Sequence, residues 1–552
     1  MESCYPPDAP VSLEALEQCV ATLRKLRGEH GRGDSGFAFY DSASCRELRK
    51  AVAPFAARMH RGMFGGLTRS EYEETKALRR EAEGRLAQRR ALDRKHINGA
   101  AMRRSRLGRL AELQRQGEHL PLVPDGLGAL QDGPVEGACA SAGVAAAVEL
   151  SAPRACYSCK RRFQALHHFY SDLCPGCAEL NWQKRHQECD CRGRVALVTG
   201  GRVKIGFQVV LKLLRWGAHV IVTTRFPRDC VQRLASQAEQ EGADWSGRLD
   251  VYGLDLRDLA SIERFCAFCK KRYDRLDILI NNACQTVRRP AGFYKHLLDV
   301  EESTQPLPGG EHRMLQGFRE WSPSWQTAAS PALAPGEAGS EAARGVVVAM
   351  PQSAAQSQLV LLEEDASAQF PAGVLDTNGQ QLDLRPRNTW VMRMHEVEMA
   401  EVAEVFLINA MAPFVLNGRL QELMEKEAGR PEGAQGSRFI VNVSAMEGKF
   451  YRAKAPYHPH TNMAKAALNQ LTRTVAGDLA ERRIYVCAVD TGWVNDENPL
   501  EKARRYSECH NFQCPLDEVD AAARILDPVA VALSGGQPLF DVFLKDYRET
   551  EW

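Results

Sequence analysis

The chain has 552 residues, of which 44% are hydrophobic and 26% charged. This composition excludes a collagen-like or wholly disordered protein, and the length predicts more than one folded unit. The 71 Lys and Arg balance 70 Asp and Glu, so no overall charge draws the molecule to nucleic acid or an acidic membrane. No stretch approaches the roughly 18 consecutive apolar residues that cross a bilayer, so we predict no membrane span.

The 17 cysteines are spread along the chain, and Met1–Pro10 lacks the charged and apolar regions of a signal peptide. We therefore expect a reducing, cytoplasmic location. In such a compartment a cysteine cluster is expected to bind metal or to perform thiol chemistry, and not to form a disulfide framework.

Residues 1–120 are predicted to be a basic helical region. Between Ser70 and Leu110 there are 12 Lys/Arg against 6 Asp/Glu, and apolar residues recur at roughly helical spacing, a pattern for which we also consider a coiled coil. Ser70 is the expected N-cap, and Glu73 completes a capping box. We favour a solvated, salt-bridged helical face; the alternative is an arm that binds nucleic acid or a protein.

Two stretches have the composition of flexible chain. Residues 121–153 are rich in Pro, Gly and Ala and predict a linker. Residues from about 300 to 375 show no persistent helix or strand period and predict a flexible insertion. Within the insertion, Gly345–Met350 and Leu359–Leu362 are apolar islands that could form strands.

Residues 154–191 contain four cysteines in a C-x2-C-x14-C-x2-C array: Cys156, Cys159, Cys174 and Cys177. Two such turns supply the four thiolates of a tetrahedral zinc site, and because all four positions are filled the zinc is predicted to be structural. The alternatives are a redox pair or cysteines of the core.

From Arg194 the chain reads as an apolar strand, a glycine-rich turn, an amphipathic helix and a second strand, RVALVTGGRVKIGFQVVLKLLRWGAHVIVTTRF. Six further motifs follow in order: Leu254-Asp255-Leu256, Leu276–Ala283, INAMAPFVL with Asn409, Phe439–Ser444, MAKAALNQLTRT with Lys465, and Val489–Val494. Over residues 193–552, with the insertion set aside, the chain resembles the short-chain dehydrogenase/reductase family. The resemblance implies an α/β fold with a Rossmann-like, doubly wound parallel sheet that binds NAD(H) or NADP(H), often in a homodimer or homotetramer.

The resemblance also implies roles for individual residues. The residues implied to line the pyrophosphate are Thr199, Gly200, Gly201, Arg202, Ile205 and Gly206. Asp255 is implied to contact adenine, and Asn281 and Ala283 to border the adenine ribose. Asn409 matches an asparagine that holds a proton-relay water, and Gly492 belongs to the segment that contacts the nicotinamide carboxamide.

The choice of cofactor follows from charge. An acid at the end of the second strand would repel a 2′-phosphate, but Thr224 stands there and Arg225 follows it. Arg202 and Lys204 add two cations in the glycine-rich turn, so we predict NADP(H) over NAD(H). The alternative is that Arg225 pairs with a surface acid such as Asp229.

The catalytic pattern of the family is broken in this chain. Lys465 is present, but Thr461 stands where the family has the tyrosine that acts as general acid and base. Ser444 aligns with the first serine of a pair, and Ala445 stands at the catalytic second one. Lys204 replaces a glycine of the cofactor turn.

Two interpretations compete. In the first, Tyr457, or Tyr451, supplies the proton with help from Ser444 and Asn409, and the chain is an NADP-dependent oxidoreductase acting on a small carbonyl or alcohol. In the second, the domain binds NADP(H) as a sensor or scaffold without turnover. We favour the first. We do not expect nucleic acid as the partner, but binding of nucleic acid or protein by the basic helices and the zinc module is kept as a third alternative.

Overall fold

The computed structural model describes residues 11–27, 43–63, 67–108, 148–303, 307, 309–326, 352–359, 370, 380–426, 436–450, 453–495 and 497–552. The chain divides into two compact units, Met1–Leu92 and Asp93–Trp552. Tyr451, Gly345–Met350, residues 109–147 and most of the predicted linker lie outside the described residues.

The N-terminal region is helical, as α1 (Leu13–Arg27), α2 (Arg46–Met63) and α3 (Arg69–Gly99). Helix α3 is capped by Thr68, not by the predicted Ser70: the Glu71 N–H donates to Thr68 Oγ1 (3.3 Å) and the Thr68 N–H donates to Glu71 Oε2 (2.7 Å). The same Ser/Thr-x-x-Glu spacing occurs two residues earlier than the one we chose. Leucines on α3 are exposed, and the coiled coil stays a prediction.

A small module carries the four cysteines. It consists of the antiparallel strands β1 (Glu149–Ala155) and β2 (Arg162–Ala165) and the helix α4 (Pro175–Arg185). Its first strand begins inside the range predicted as linker. We call residues 149–185 the cysteine module.

The main body is an eight-stranded sheet. Its spatial order is β10-β9-β8-β7-β6-β3-β4-β5, with β10 antiparallel to β9 and every other neighbouring pair parallel. The strands are β3 (Val195–Thr199), β4 (His219–Thr224), β5 (Leu249–Gly253), β6 (Ile278–Asn281), β7 (Arg438–Ser444), β8 (Ile484–Asp490), β9 (Phe543–Lys545) and β10 (Arg548–Thr550). From β3 the chain continues to β4 and β5 on one side of the sheet. It then crosses to β6 and continues to β7, β8 and β9 on the other side, which is the arrangement of a doubly wound fold.

Helices cover both faces of this sheet, because its central strands are apolar on both sides. The helices are α5 (Lys204–Arg215), α6 (Pro227–Gln240), α7 (Leu259–Arg272), α8 (Ala291–Glu301), α9 (Gly309–Met314), α10 (Gln316–Gln326), α11 (Gln352–Ala355), α12 (Met399–Phe406), α13 (Ala412–Glu425), α14 (Pro459–Glu481), α15 (Leu500–His510) and α16 (Glu518–Leu533). One core cluster joins the sheet to α5, α6 and α16, and the other joins it to α7, α13 and α14. The predicted α/β Rossmann-like fold is confirmed.

The insertion contains helices where the sequence predicts no regular structure. Helix α10 covers β5 through Phe318 and Trp321, and the Trp321 ring lies 6.5 Å from the Tyr252 ring. Packing of these aromatic side chains buries apolar surface, which a purely polar insertion could not do. Of the island Leu359–Leu362 the structure describes Leu359, which is exposed and lies outside any strand.

One described helix is long and apolar enough to cross a membrane by length and composition. It runs over Met399–Glu425, combining α12, a π-helical turn (Leu407–Met411) and α13. Our prediction of no membrane span did not anticipate this helix. Its buried face, with Leu416 and Leu420, packs in the core against α7.

Candidate active site and metal centre

The predicted site residues meet at one edge of the sheet. The glycine-rich turn follows β3, Asn281–Ala283 ends β6, Ser444 ends β7 and Gly492 follows β8. These are the carboxyl ends of parallel strands, and the turn after β3 lies beside the point where the strand order reverses. In open α/β sheets ligands bind at this position.

The glycine-rich turn is held tightly to the end of β6. Thr199 Oγ1 accepts the N–H groups of Asn282 and Ala283, both at 3.0 Å. Gly200 adopts φ +71°, and a Cβ on Gly206 would lie 2.2 Å from the Gly200 carbonyl oxygen. Glycine is therefore required at both positions, and the turn brings backbone N–H groups and the N-terminus of α5 to the sheet edge.

Lys204 has a left-handed backbone in this turn, with φ +53°. It occupies the position where the family has glycine, and the structure retains the backbone that glycine favours. A non-glycine residue in this region costs about 1 kcal/mol or more, and such outliers cluster at functional sites. Lys204 is the first residue of α5, and its charge acts on Glu518: burial raises the pKa of that carboxyl, and Lys204 opposes the rise.

The other two predicted cations contact protein groups. Arg202 is buried, and its guanidinium donates to Asp229 Oδ2 and to Gln380 Oε1, both at 2.8 Å. Burial raises the pKa of Asp229, but Arg202 and Arg233 outweigh it and hold this pKa below its usual value. Arg225 donates to Tyr294 Oη (2.7 Å) and lies over that ring at 4.3 Å. Asp229 thus pairs with Arg202 and Arg233, while Arg225 packs on an aromatic ring.

The adenine end of the site is occupied by the insertion. Ser353 Oγ donates to the carbonyl of Arg225 (2.9 Å), and Arg257 donates to the carbonyl of Gln356 (2.9 Å). Arg257 also forms a bidentate ion pair with Asp255, the residue implied to contact adenine. A cavity lined by Asp255, Ser353 and Gln356, among others, measures about 30 Å³, which admits water but not an adenine ring. The pyrophosphate end therefore fits the cofactor, whereas residues 352–358 fill the adenine end.

Lys465 and Ser444 lie together at the ends of β7 and α14. The buried Lys465 Nζ donates to the Val443 carbonyl (2.7 Å), and Ser444 Oγ donates to Asn469 Oδ1 (2.6 Å). Asn281 Nδ2 donates to Asn442 Oδ1 (2.8 Å), which links the ends of β6 and β7. The ammonium has three N–H bonds, and the bond to Val443 uses one of them.

Asn409 anchors the loop after β6. Its Oδ1 accepts the Gln285 N–H (2.8 Å), and its Nδ2 donates to the Gln285 carbonyl (2.9 Å). The side-chain amide is thus used within the protein. Asn409 lies in the π-helical turn, where the regular α-helical pairing of the backbone is interrupted, as is frequent at functional sites.

The candidate proton donors differ in burial. Thr461, one turn before Lys465 on α14, is 1% exposed and its hydroxyl makes no hydrogen bond. Tyr457 precedes the helix, pairs with Arg393 in an isolated β-bridge and is 36% exposed. His460, which no sequence motif indicated, is buried beside Thr461; neither of its ring nitrogens is hydrogen-bonded, and Nε2 lies 3.9 Å from Glu401 Oε1. Its adjacency to Thr461 was the available signal.

The four predicted metal ligands converge. The sulfur atoms of Cys156, Cys159, Cys174 and Cys177 all lie within 4.8 Å of one another, and the Cys159 and Cys174 sulfurs are 3.6 Å apart. Four thiolates at the Zn–S distance of about 2.3 Å are separated by nearly this amount. The Arg161 side chain hydrogen-bonds the Cys159 thiol and lowers its pKa to about 6, which favours the thiolate that binds metal. The cluster can hold a metal ion.

Comparisons with known proteins cover both halves of the main body. A family model described as short chain dehydrogenase matches residues 194–301, and one described as enoyl-(acyl carrier protein) reductase matches residues 385–532. Most of the insertion lies between the two matches.

Individual relatives match either a short part of the chain or a longer part at lower identity. An uncharacterized protein of Acanthamoeba polyphaga mimivirus is 27% identical over 387 residues, covering 68% of this chain and 71% of that protein. The NADPH carbonyl reductase 1 of Sus scrofa is 41% identical over 90 residues, 16% of this chain and 30% of that protein. The crystal structure of NADPH-bound carbonyl reductase from chicken fatty liver is 17% identical, covers 67% of this chain and 98% of that chain, and gives a TM-score of 0.39.

The match to the carbonyl reductase of Sus scrofa covers 30% of that protein. The match to retinol dehydrogenase 14 of Mus musculus covers 34% of that protein, so the chain spans about a third of the length of these two relatives. The two family models together match the first βαβ unit and the segment that carries Asn409, Ser444 and Lys465. Over residues 194–301 and 385–532 the chain carries the sequence pattern of the short-chain dehydrogenase/reductase family.

Proposed function

We propose that this chain is an NADP(H)-dependent oxidoreductase that transfers a hydride between the nicotinamide and a carbonyl or alcohol carbon of a small molecule. The observation that carries the proposal is Lys204, held in a left-handed backbone at the N-terminus of α5. NADP(H) is favoured over NAD(H) because the end of β4 carries Thr224 and Arg225 and no carboxylate. The cysteine cluster would hold a structural zinc ion.

Bound NADPH supplies the hydride. Lys465 has two N–H bonds free of Val443 and would hold the nicotinamide ribose, while Lys204 and the N–H groups of the glycine-rich turn would hold the phosphates. The proton would come from Thr461, His460 or Tyr457. An imidazole can both donate and accept a proton, and neither ring nitrogen of the buried His460 is hydrogen-bonded, while its Nε2 lies 3.9 Å from Glu401 Oε1.

A second function is a sensor or scaffold that binds NADP(H) without turnover. Two observations favour it: Thr461 stands in the tyrosine position, and residues 352–358 close the adenine end of the site. The homo-oligomer, the cytoplasmic location and binding of nucleic acid or protein by the basic helices stay predictions.

Cofactor titration tests both versions. NADPH at 100 times its dissociation constant should stabilise the fold by about 2.7 kcal/mol, seen as a higher melting temperature, with a smaller effect of NADH at equal concentration. Absence of any shift with either nucleotide would refute both. Lys204→Gln should weaken the NADPH response, because it removes the cation and keeps an unbranched polar side chain.

Turnover separates the two versions. NADPH oxidation is followed by absorbance with a panel of aldehydes and ketones, and Lys465→Met should abolish any activity. Comparing Tyr457→Phe, Thr461→Val and His460→Gln then identifies the proton donor. Among the three variants, only the one that lacks the donor should lose activity while it keeps its affinity for NADPH. Tight NADPH binding without turnover of any carbonyl would favour the sensor.

A further inference from the structure

The cysteine module touches the turn that follows β8. Tyr157, which comes directly after the ligand Cys156, accepts the backbone N–H of Trp493 on its phenol oxygen at 2.8 Å. A Cβ on Gly492 would lie 3.4 Å from the same oxygen. This turn, with Gly492 at φ +80°, is the segment that the family resemblance assigns to the nicotinamide. The turn after β8, at one end of the predicted cofactor site, is therefore hydrogen-bonded to a residue that lies between Cys156 and Cys159.

The module also touches the helix that begins at the glycine-rich turn. Lys212 Nζ of α5 donates to the Arg185 carbonyl at the end of α4 (2.9 Å). Ile205 of the turn packs against the apolar cluster that contains Leu173 of the module and Val494 after β8. The two segments that border the cofactor site thus share one small core with the cysteines.

Buried polar contacts fix the orientation of the module. Arg185 pairs with Asp517 (2.6 Å) and Asp520 (3.0 Å) at the start of α16, and Arg524 donates to Asn181 Oδ1 (2.6 Å). Breaking a buried ion pair by removing one partner is strongly destabilising, so these contacts resist sliding of the module over α16. A shift of the cysteines would be transmitted to Trp493 and Ile205.

We propose that the cysteine module positions the cofactor site, with Tyr157 as a positioning residue that holds the Gly492–Trp493 turn, and that metal loading and NADP(H) binding are thermodynamically coupled. The inference rests on the proposed function. Coupling between two ligands is reciprocal, and its usual size corresponds to a factor of about 5 to 150 in affinity. Zinc should therefore strengthen NADPH binding, and NADPH should strengthen zinc retention by the same factor.

The first test uses the zinc-loaded full chain and nucleotide fluorescence. Tyr157→Phe removes the acceptor of the Trp493 N–H and should weaken NADPH binding about tenfold, while zinc content stays at one ion per chain. Tyr485→Phe is the matched control: it makes the same change on β8, where Tyr485 packs near Phe540, and should leave NADPH affinity unchanged. Equal affinities of the wild type and Tyr157→Phe would overturn the role of Tyr157.

The second test measures zinc release from the wild-type chain to a chromogenic chelator, with and without NADPH, and needs no metal-free protein. Saturating NADPH should lower the extent of zinc release at equilibrium about tenfold, and the effect should shrink in Tyr157→Phe. Unchanged release with NADPH demonstrably bound would overturn the coupling and leave the proposed function intact. If NADPH does not bind the zinc-loaded wild type at all, the proposed function itself fails.

Discussion

Lys204 is one of several described non-glycine residues with a left-handed backbone, and it lies in the turn predicted to bind the pyrophosphate. At φ +53° a side chain with a Cβ is strained, and the same turn contains Gly200 at φ +71°, where glycine is at no disadvantage. The strain falls on a lysine that is the first residue of helix α5. A residue kept for stability alone would be glycine or asparagine at this point.

Replacing this residue should separate stability from binding. Lys204→Gly should raise the free energy of unfolding by about 1 kcal/mol, because it relieves the left-handed strain, and should weaken NADPH binding, because it removes the cation. Denaturant unfolding and nucleotide titration measure the two effects. Lys204→Asn, which tolerates the backbone and is uncharged, should share the loss of affinity; unchanged NADPH affinity in both variants would contradict a phosphate-binding role.

His167 of the cysteine module should make stability depend on pH. Its Nδ1 accepts the N–H groups of Phe169 (3.1 Å) and Tyr170 (3.4 Å), which requires the neutral ring. Burial, followed by the charge of His168, lowers the pKa of His167 to about 4, against 6.5 for the free side chain. Between these values the unfolded chain binds the proton and the folded chain does not, so stability is present above pH 6.5 and is lost as pH falls toward 4.

His167→Asn keeps an acceptor for nearby N–H groups and does not titrate. Relative to this variant, the wild type should lose about 1 kcal/mol of stability between pH 7 and pH 5, a figure reduced for the partial exposure of the ring. Urea unfolding with saturating zinc at both pH values measures the difference, and thiolate protonation cancels because both proteins carry the same cysteines. The exposed His186→Asn is the control; equal pH dependence of all three proteins would refute the assignment.

Among the elements, the insertion changes the cofactor site most. Residues 352–358 contact the carbonyl of Arg225 and the guanidinium of Arg257, and Gln380 contacts Arg202. Arg225 and Arg257, beside the predicted adenosine site, therefore have partners from the insertion, and Arg202 of the glycine-rich turn has one from the segment that follows the insertion. Binding of the proposed cofactor would therefore require movement of residues 352–358 and not a rearrangement of the strands.

Whether a structural feature can be predicted from the sequence depends on how far apart in the chain the contacting residues lie. The glycine-rich turn, Asn409 and the cysteine array are local patterns, and each falls on the element expected for it. The contact between Tyr157 and Trp493 joins residues 336 positions apart, and that between Arg202 and Gln380 spans 178. Composition and periodicity describe neighbours in the chain, so they predicted three cations near one phosphate and could not show that Arg202 contacts Asp229 and Gln380 or that Arg225 contacts Tyr294.

The helices of the insertion were missed for a related reason. The window around Phe318 and Trp321 is short and lies between Pro-rich and Gly-rich runs, so no helical period persists in it. Its stability comes from packing on Tyr252 of β5, a tertiary contact that overrides local composition.

At the scale of the whole molecule, the near-zero net charge is an average over paired groups. Within the described residues the junction between the cysteine module and α16 carries Lys184–Asp527 (2.5 Å) as well as Arg185 with Asp517 and Asp520, so opposite charges face each other at this junction. The module and the sheet lie in one compact unit, Asp93–Trp552, and share an apolar cluster with Leu516 and Ala521. Such a junction predicts that the two parts unfold together.

Removal of zinc should therefore destabilise the sheet as well as the module. Adding a strong chelator at pH 7.5 should lower the melting temperature of the main transition in far-UV circular dichroism by about 5 °C or more, because a module that has lost its metal no longer stabilises α16 or the turn after β8. Cys174→Ser should reproduce the shift without chelator, and Cys509→Ser, at an exposed cysteine outside the cluster, should not. A main transition that is unmoved, with a separate small transition for the module, would show that the two parts fold independently despite their shared core.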